Sequence, residues 1–250
     1  MALFMDSPVI GLEDLAAQDT GILEVAAGEG IDLERKILIA RDEIGIEIES
    51  ALVRSGLTTQ GNGSLSKIVV TPALRLYWVF HAIAVTYRDA YCSRLHDRYK
   101  GRWSEYRDLA KWAARMLFEL GAGWVAEPVP QPPPPLVTVT TGSVASGLYY
   151  VRVSWVNSAG QESLASLVTT YTVGSDEGIT VESSGYPSNV TGWNVYAGTE
   201  PDSLSRQNGS PLPTGADWIA PNVISTSGPK PGEGQQPETY TQIQATFQRG

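Results

Sequence analysis

The chain has 250 residues, a formal net charge of −9 and 42% hydrophobic residues, enough for two domains that each bury a core. Its one cysteine, Cys92, excludes an intrachain disulfide and suits a reducing compartment. No apolar run approaches the ~18 residues that span a membrane, and the start Met1-Ala-Leu-Phe-Met-Asp lacks the basic and apolar regions of a secretory signal. A soluble, unexported protein with no membrane partner is expected.

In chain order, residues 1–30 contain Pro8, Gly11, Gly21, Gly28 and Gly30, so only short helical turns fit there. Leu12, Leu15, Ile22, Leu23 and Val25 are available to pack onto the longer helices downstream. A long helix is predicted from about Asp32 to residue 55, with Leu33, Ile37, Ala40, Ile44, Ile48, Ala51 and Leu52 as its apolar stripe and Gly56 as its C-cap. Gln60-Gly-Asn-Gly-Ser reads as a flexible loop. Thr71-Pro72 opens a second helix, Thr as N-cap and Pro at the first helical position, running to about Arg94. A third helix lies between Lys100-Gly101 and Gly121 and presents Trp103, Tyr106, Leu109, Ala113, Met116, Leu117 and Leu120. Together these predict a small antiparallel bundle over 1–126.

Pro128, Pro130 and Pro132 to Pro135 separate this bundle from a differently patterned half. In polyproline geometry eight residues span roughly 25 Å, which predicts a stiff linker over 127–135. Beyond it, residues 136–231 alternate apolar and polar residues with frequent turn signals, the pattern of a β-sandwich of the immunoglobulin or fibronectin type III kind. The clearest strand is Tyr149 to Val156, with Tyr149, Val151, Val153 and Trp155 on one face. Asn157-Ser-Ala-Gly160 supplies a turn, Leu164 to Val173 a returning strand, and Ile179 to Val181 and Trp193 to Tyr196 further strands. The fold class is therefore multi-domain, α followed by all-β, with an extended tail at 232–250. In that tail Thr241, Ile243, Ala245 and Phe247 fall on one side of an extended chain. A lone strand needs a sheet edge, so Tyr240, Ile243, Ala245 and Phe247 are the candidate partner-binding residues. That edge is a neighbour's, a partner's or the chain's own sandwich; the tail left unordered is the remaining alternative.

Charge is unevenly spread. Residues 1–66 hold 12 acidic and 4 basic side chains, and residues 67–126 hold 5 acidic and 10 basic. Such asymmetry draws neighbouring copies together or aims a basic face at nucleic acid, unless the faces neutralise one another within one subunit.

Catalytic groups are scarce. His81 and His96 are the only histidines; His81 reads as a hydrogen-bonded core residue and Cys92 as packing. Cys92 and His96 sit at i and i+4, but no third group is identifiable to orient a nucleophile–base pair, and adding Asp97 does not surround a metal. No phosphate loop is present. Neither enzyme activity nor a cofactor is expected. Trp155, Trp193 and Trp218 either line a sugar site or, as alternating strand residues usually do, fill the core.

Gly30-Ile-Asp-Leu-Glu-Arg-Lys-Ile-Leu-Ile-Ala-Arg-Asp-Glu-Ile resembles the opening helix of tailed-bacteriophage head–tail connector adaptors. His81-Ala-Ile-Ala-Val-Thr-Tyr-Arg-Asp-Ala resembles their second helix, and Arg98-Tyr-Lys-Gly-Arg-Trp-Ser-Glu-Tyr-Arg, leading to Leu120-Gly-Ala-Gly-Trp, their third. The resemblance covers about residues 10–130. It implies a ring of about twelve copies beneath the portal, joining head to tail in the neck of the virion after assembly in the host cytoplasm. It also implies portal and tail or nozzle proteins as partners, with double-stranded DNA passing through the lumen without tight or base-specific contacts. Gly147 to Ser163 and Gly192 to Pro201 resemble fibronectin-like modules of phage structural proteins, which plain adaptors lack. Such a module braces the neck or, in an alternative reading, belongs to a tail or capsid-surface protein that grips host glycans.

Overall fold

The computed structural model describes residues 1–56, 64–94 and 97–242, the side chains of 93 and 94 aside. Among them are five α-helices and three antiparallel sheets, a mixed α + β architecture divided into two compact units. No helix among the described residues is long and apolar enough to cross a membrane.

The helical unit is built from Ser7–Ala126 together with the chain from Pro237 onward. Its first two helices are short: α1 (Leu12–Gln18) starts where the Asp14 carboxylate accepts the Gly11 N–H, and α2 (Ile22–Glu29) stops at Gly30 in the left-handed region. Leu15 and Ile22 are fully buried, whereas Leu12 and Leu23 remain exposed. Helix α3 (Leu33–Arg54) is capped by Asp32, whose Oδ1 accepts the Arg35 N–H at 3.1 Å. It buries the stripe from Leu33 to Leu52 that its spacing predicts. The helix closes at Ser55 and Gly56, the glycine again left-handed.

After the two-residue strand β1 (Ile68–Val69), α4 (Pro72–Arg94) begins with Thr71 Oγ1 accepting the Leu74 N–H at 3.4 Å. Helix α4 is buried nearly all round, because α1, α2, α3 and α5 (Lys100–Leu120) all pack on it. Each large aliphatic side chain buried there, such as Leu74 or Ile83, contributes about 1.5–3 kcal/mol. Between α4 and α5 the contact is aromatic: Tyr87 stacks on Tyr106 with ring centroids 5.9 Å apart, and Tyr91 on Trp103 at 5.5 Å. Between α3 and α4 it is polar. Lys36 meets Asp89 at 2.6 Å, Glu43 meets His81 at 2.6 Å, and the Tyr77 hydroxyl donates to Glu47. Gly121 ends α5, and the chain continues into β2 (Ala122–Trp124).

The β unit is Glu127–Gln236 together with Met1–Asp6. Its strands are β3 (Leu136–Thr141), β4 (Gly147–Asn157), β5 (Thr169–Val173), β6 (Glu177–Glu182), β7 (Val190–Gly198), β8 (Ser205–Arg206), β9 (Leu212–Pro213) and β10 (Trp218–Ile219). One sheet has the order β10-β6-β3; the other runs β5-β4-β7-β8, with β9 also on β7. Tyr149, Val151, Val153 and Trp155 of β4 share one core with Trp193 and Val195 of β7 and Ile179 and Val181 of β6. The turn after β4 is tied by Asn157 Oδ1, which accepts the N–H groups of Ala159 and Gln161, and Gly160 is left-handed there.

Three expectations need correction. The returning strand from Leu164 is shorter than predicted, and β5 starts only at Thr169. Before it, Ser163 and Ser166 grip β4 with side chain as well as backbone: their hydroxyls accept the N–H groups of Trp155 and Val153 at 3.0 Å. Second, the proline segment is no free spacer. Val129 is fully buried in the β core with its N–H on Gln235, and Gln131 donates to Asp6 and to the Ala165 carbonyl. Third, of the expected domain limits 1–126, 127–135, 136–231 and 232–250, the break at 126/127 coincides with a junction of the compact units, whereas Met1–Asp6, the 127–135 segment and the chain as far as Gln236 all fall in the β unit. Leu3 and Phe4 bury their side chains in the β unit rather than the helical one. At the other end, β11 (Thr239–Thr241) joins the helical unit, pairing with β2 so that the third sheet has the order β1-β2-β11.

Candidate functional site

Of the four residues predicted to bind a partner, only Tyr240 is placed; Ile243, Ala245 and Phe247 lie outside the described residues. Tyr240 stands on β11 across from Gly123 and is 58% exposed. The tail thus finds its sheet edge on β2 of its own helical unit, a partner strand absent from the predicted alternatives. Two glycines open that edge. A Cβ on Gly123 would lie 2.9 Å from Thr71 Cγ2 and 3.0 Å from Pro237 Cβ. At Gly121, with φ +96, it would lie 2.9 Å from the Thr241 backbone. Gly121-Ala-Gly-Trp124 reads in sequence only as a helix stop, yet it is the floor on which the tail rests.

Beside this sheet lies a cleft of about 240 Å³ lined by Lys67, Trp124, Val125, Ala126, Glu238, Thr239 and Thr241. Glu238 closes one side: its backbone N–H donates to the Trp124 carbonyl at 2.8 Å and its carboxylate accepts the Ala126 N–H at 3.2 Å. The buried indole N–H of Trp124 meets no acceptor among the described residues. The cleft has room for a side chain or a small polar group.

Among the described residues, His81 meets a carboxylate and Cys92 meets solvent. His81 is half-buried and held by Glu43, which Arg88 also approaches at 3.5 Å. Cys92 is exposed, against the expectation that it packs, because it follows the exposed Arg88 by one helical turn, on the side of α4 that its neighbours leave open. His96 lies outside the described residues. Among the described residues no group of three His, Cys, Asp or Glu side chains could hold a metal ion.

The buried tyrosines are cross-links. Tyr87 donates to the Asp19 carboxylate at 2.7 Å, and Tyr106 to the Gln18 carbonyl at 3.1 Å. Burial first, then the neighbouring carboxylates, push the phenols of Tyr77 and Tyr87 well above their ordinary value and that of Tyr106 to about 12. These groups hold their protons at neutral pH and act as hydrogen-bond donors.

In the β unit Trp155, Trp193 and Trp218 all lie in the core, with the indole N–H groups of the first two on Ser183 Oγ and the Pro213 carbonyl. They offer no stacking platform to a sugar. The opposite face of β4 and β7 carries a polar knot that the sequence pattern did not announce: Glu162 Oε1 accepts from Ser154, from Tyr196 and, at 3.2 Å, from Asn194. The signal available was the alternation itself, which sets Ser154, Asn194 and Tyr196 on the side of β4 and β7 away from the apolar core. No family model, curated protein or solved structure matches the chain.

Proposed function

We propose that this chain is a structural subunit of a tailed-phage neck, a non-enzymatic adaptor that forms a ring of about twelve copies under the portal. The ring links head to tail and continues the channel through which double-stranded DNA passes. What supports this reading is the position of the three resembling segments. They fall in order on α3, on the middle of α4 and on the start of α5, the long helices of one compact unit. In this reading that unit is the adaptor bundle. The β unit is an immunoglobulin- or fibronectin-like sandwich, supported by its two antiparallel sheets over a shared core, and it braces the neck.

Electron microscopy of the full chain mixed with portal rings from the same source tests the proposal. The expected image is a second ring stacked coaxially on the portal. Portal rings left bare at saturating concentrations of the chain would overturn it.

A further inference from the structure

Helices α3 and α5 both pack on α4, on different sides of it, and each leaves one face uncovered. On α3 that face carries Leu38, Ile46 and Val53, with Ile46 65% and Val53 62% exposed. Asp42 and Glu49 stand between them at helical steps of three and four, and Arg35 at the start. On α5 the uncovered face carries Trp112, 43% exposed, and near the helix end Leu120, 66% exposed. Lys111 and Arg115 flank Trp112. Asp108 on the same face is already held by Arg107 at 3.3 Å and Lys111 at 3.7 Å, and Glu105 by Arg102 at 3.2 Å. Glu49 and Arg115 are exposed and enter no ion pair among the described residues.

We infer that the α5 face of one copy docks on the α3 face of a second copy, with the two helices parallel. This deepens the ring reading and rests on it. Direction and spacing both match. The Lys36–Asp89, Glu43–His81 and Glu47–Tyr77 contacts make α3 antiparallel to α4, and the Tyr87–Tyr106 and Tyr91–Trp103 stacks make α5 antiparallel to α4. Helices α3 and α5 therefore run the same way, and rotation about a ring axis roughly along the helices preserves that direction between neighbours. Setting Trp112 against Ile46 then sets Arg115 against Glu49, because both charges lie three residues further on. Leu120 falls beside Val53, and Asp108 comes opposite Asp42, a like-charge contact offset by Arg41 beside Asp42 and by Arg107 and Lys111 beside Asp108. Apolar anchors rimmed by opposite charge are what a specific interface needs. The two faces differ, so the contact is heterologous and repeats from copy to copy.

The test uses the full chain, with mass photometry for association and micrographs with portal rings for ring formation. Ile46→Asp and Trp112→Asp should each abolish self-association, and Ile46→Asp, at a side chain 65% exposed, should leave the circular-dichroism melt unchanged. Glu49→Arg and Arg115→Glu should each weaken association about tenfold through like-charge contact, and the double exchange should restore it. Restoration is an effect that mere unfolding cannot produce. Rings that form normally with Ile46→Asp and Trp112→Asp would overturn this interface and leave the ring reading intact. A wild-type chain that stays monomeric both alone and beside portal rings would overturn both.

Discussion

Thr241 lies directly across from Ala122, on a strand that the chain adds to its helical unit only after building the β unit. The same strand passes within contact distance of Gly121, whose positive φ and missing Cβ let the two backbones meet. The sheet depends on that approach.

Gly121→Ala should therefore detach β11. The substitution places a Cβ 2.9 Å from the Thr241 backbone and puts a side chain in a conformation that L residues resist. A cost of about 1–3 kcal/mol is expected. It should appear as a lower thermal midpoint and as new protease cleavage after Gln236, with the β unit left intact.

Removing residues 237–250 should have a related but distinct effect. Loss of Glu238 and Thr239 frees the Trp124 carbonyl and opens the cleft above the indole. Tryptophan emission should shift toward the red, and the helical unit should melt earlier without losing its helix content by circular dichroism. An unchanged emission spectrum would refute the assigned docking of the tail.

In the β unit, Glu162→Ala should cost about 1–3 kcal/mol, because it leaves the buried Ser154 and Asn194 groups without their acceptor. Urea denaturation of the full chain reads this as a shift in the transition assigned to the β unit. Ser154→Ala alone should cost less, since it removes the donor along with its need.

Alkali should unfold the chain sharply. Tyr77, Tyr87, Tyr106 and Tyr196 have folded-state pKa values above the ordinary 10.0, with Tyr106 at about 12. The folded state thus holds these protons more tightly than the unfolded chain does. Their contribution is full below pH 10 and is lost as pH rises through the folded values. The part of the phenolate absorbance contributed by these four should rise together with unfolding, and Tyr77→Phe should make the stability less dependent on pH above 10.

Much of the helical unit was legible because its signals are local. Asp32, Thr71-Pro72 and Gly121 act within one turn of the helix ends they set, and the α3 stripe spans six turns of consistent spacing. The β4 alternation and the Asn157–Gly160 turn were legible for the same reason. Segments too short to show a period escaped. Leu3, Phe4 and Val129 are isolated apolar residues whose burial is decided by distant chain, and β2 is only three residues long. The proline run obeys the same logic: its composition suggests extension but says nothing of the Gln235 side chain that receives the Val129 N–H. At the candidate site Tyr240 was foreseen as a strand residue, whereas its acceptor strand was not, because no short-range pattern marks Gly121 to Trp124 as an edge.

Neither unit is a continuous stretch of sequence, since the chain passes between them after Asp6, after Ala126 and after Gln236. Contacts such as Glu238 to Ala126, 112 positions apart, can close only when nearly everything between them has been synthesised. During translation the helical unit must therefore wait, its β2 edge bare, until the ribosome has finished the whole β portion. Splitting the gene at the proline run would yield two fragments that each lack a piece of their own interior, so a soluble excised β unit will need Met1–Asp6 supplied in trans or grafted on.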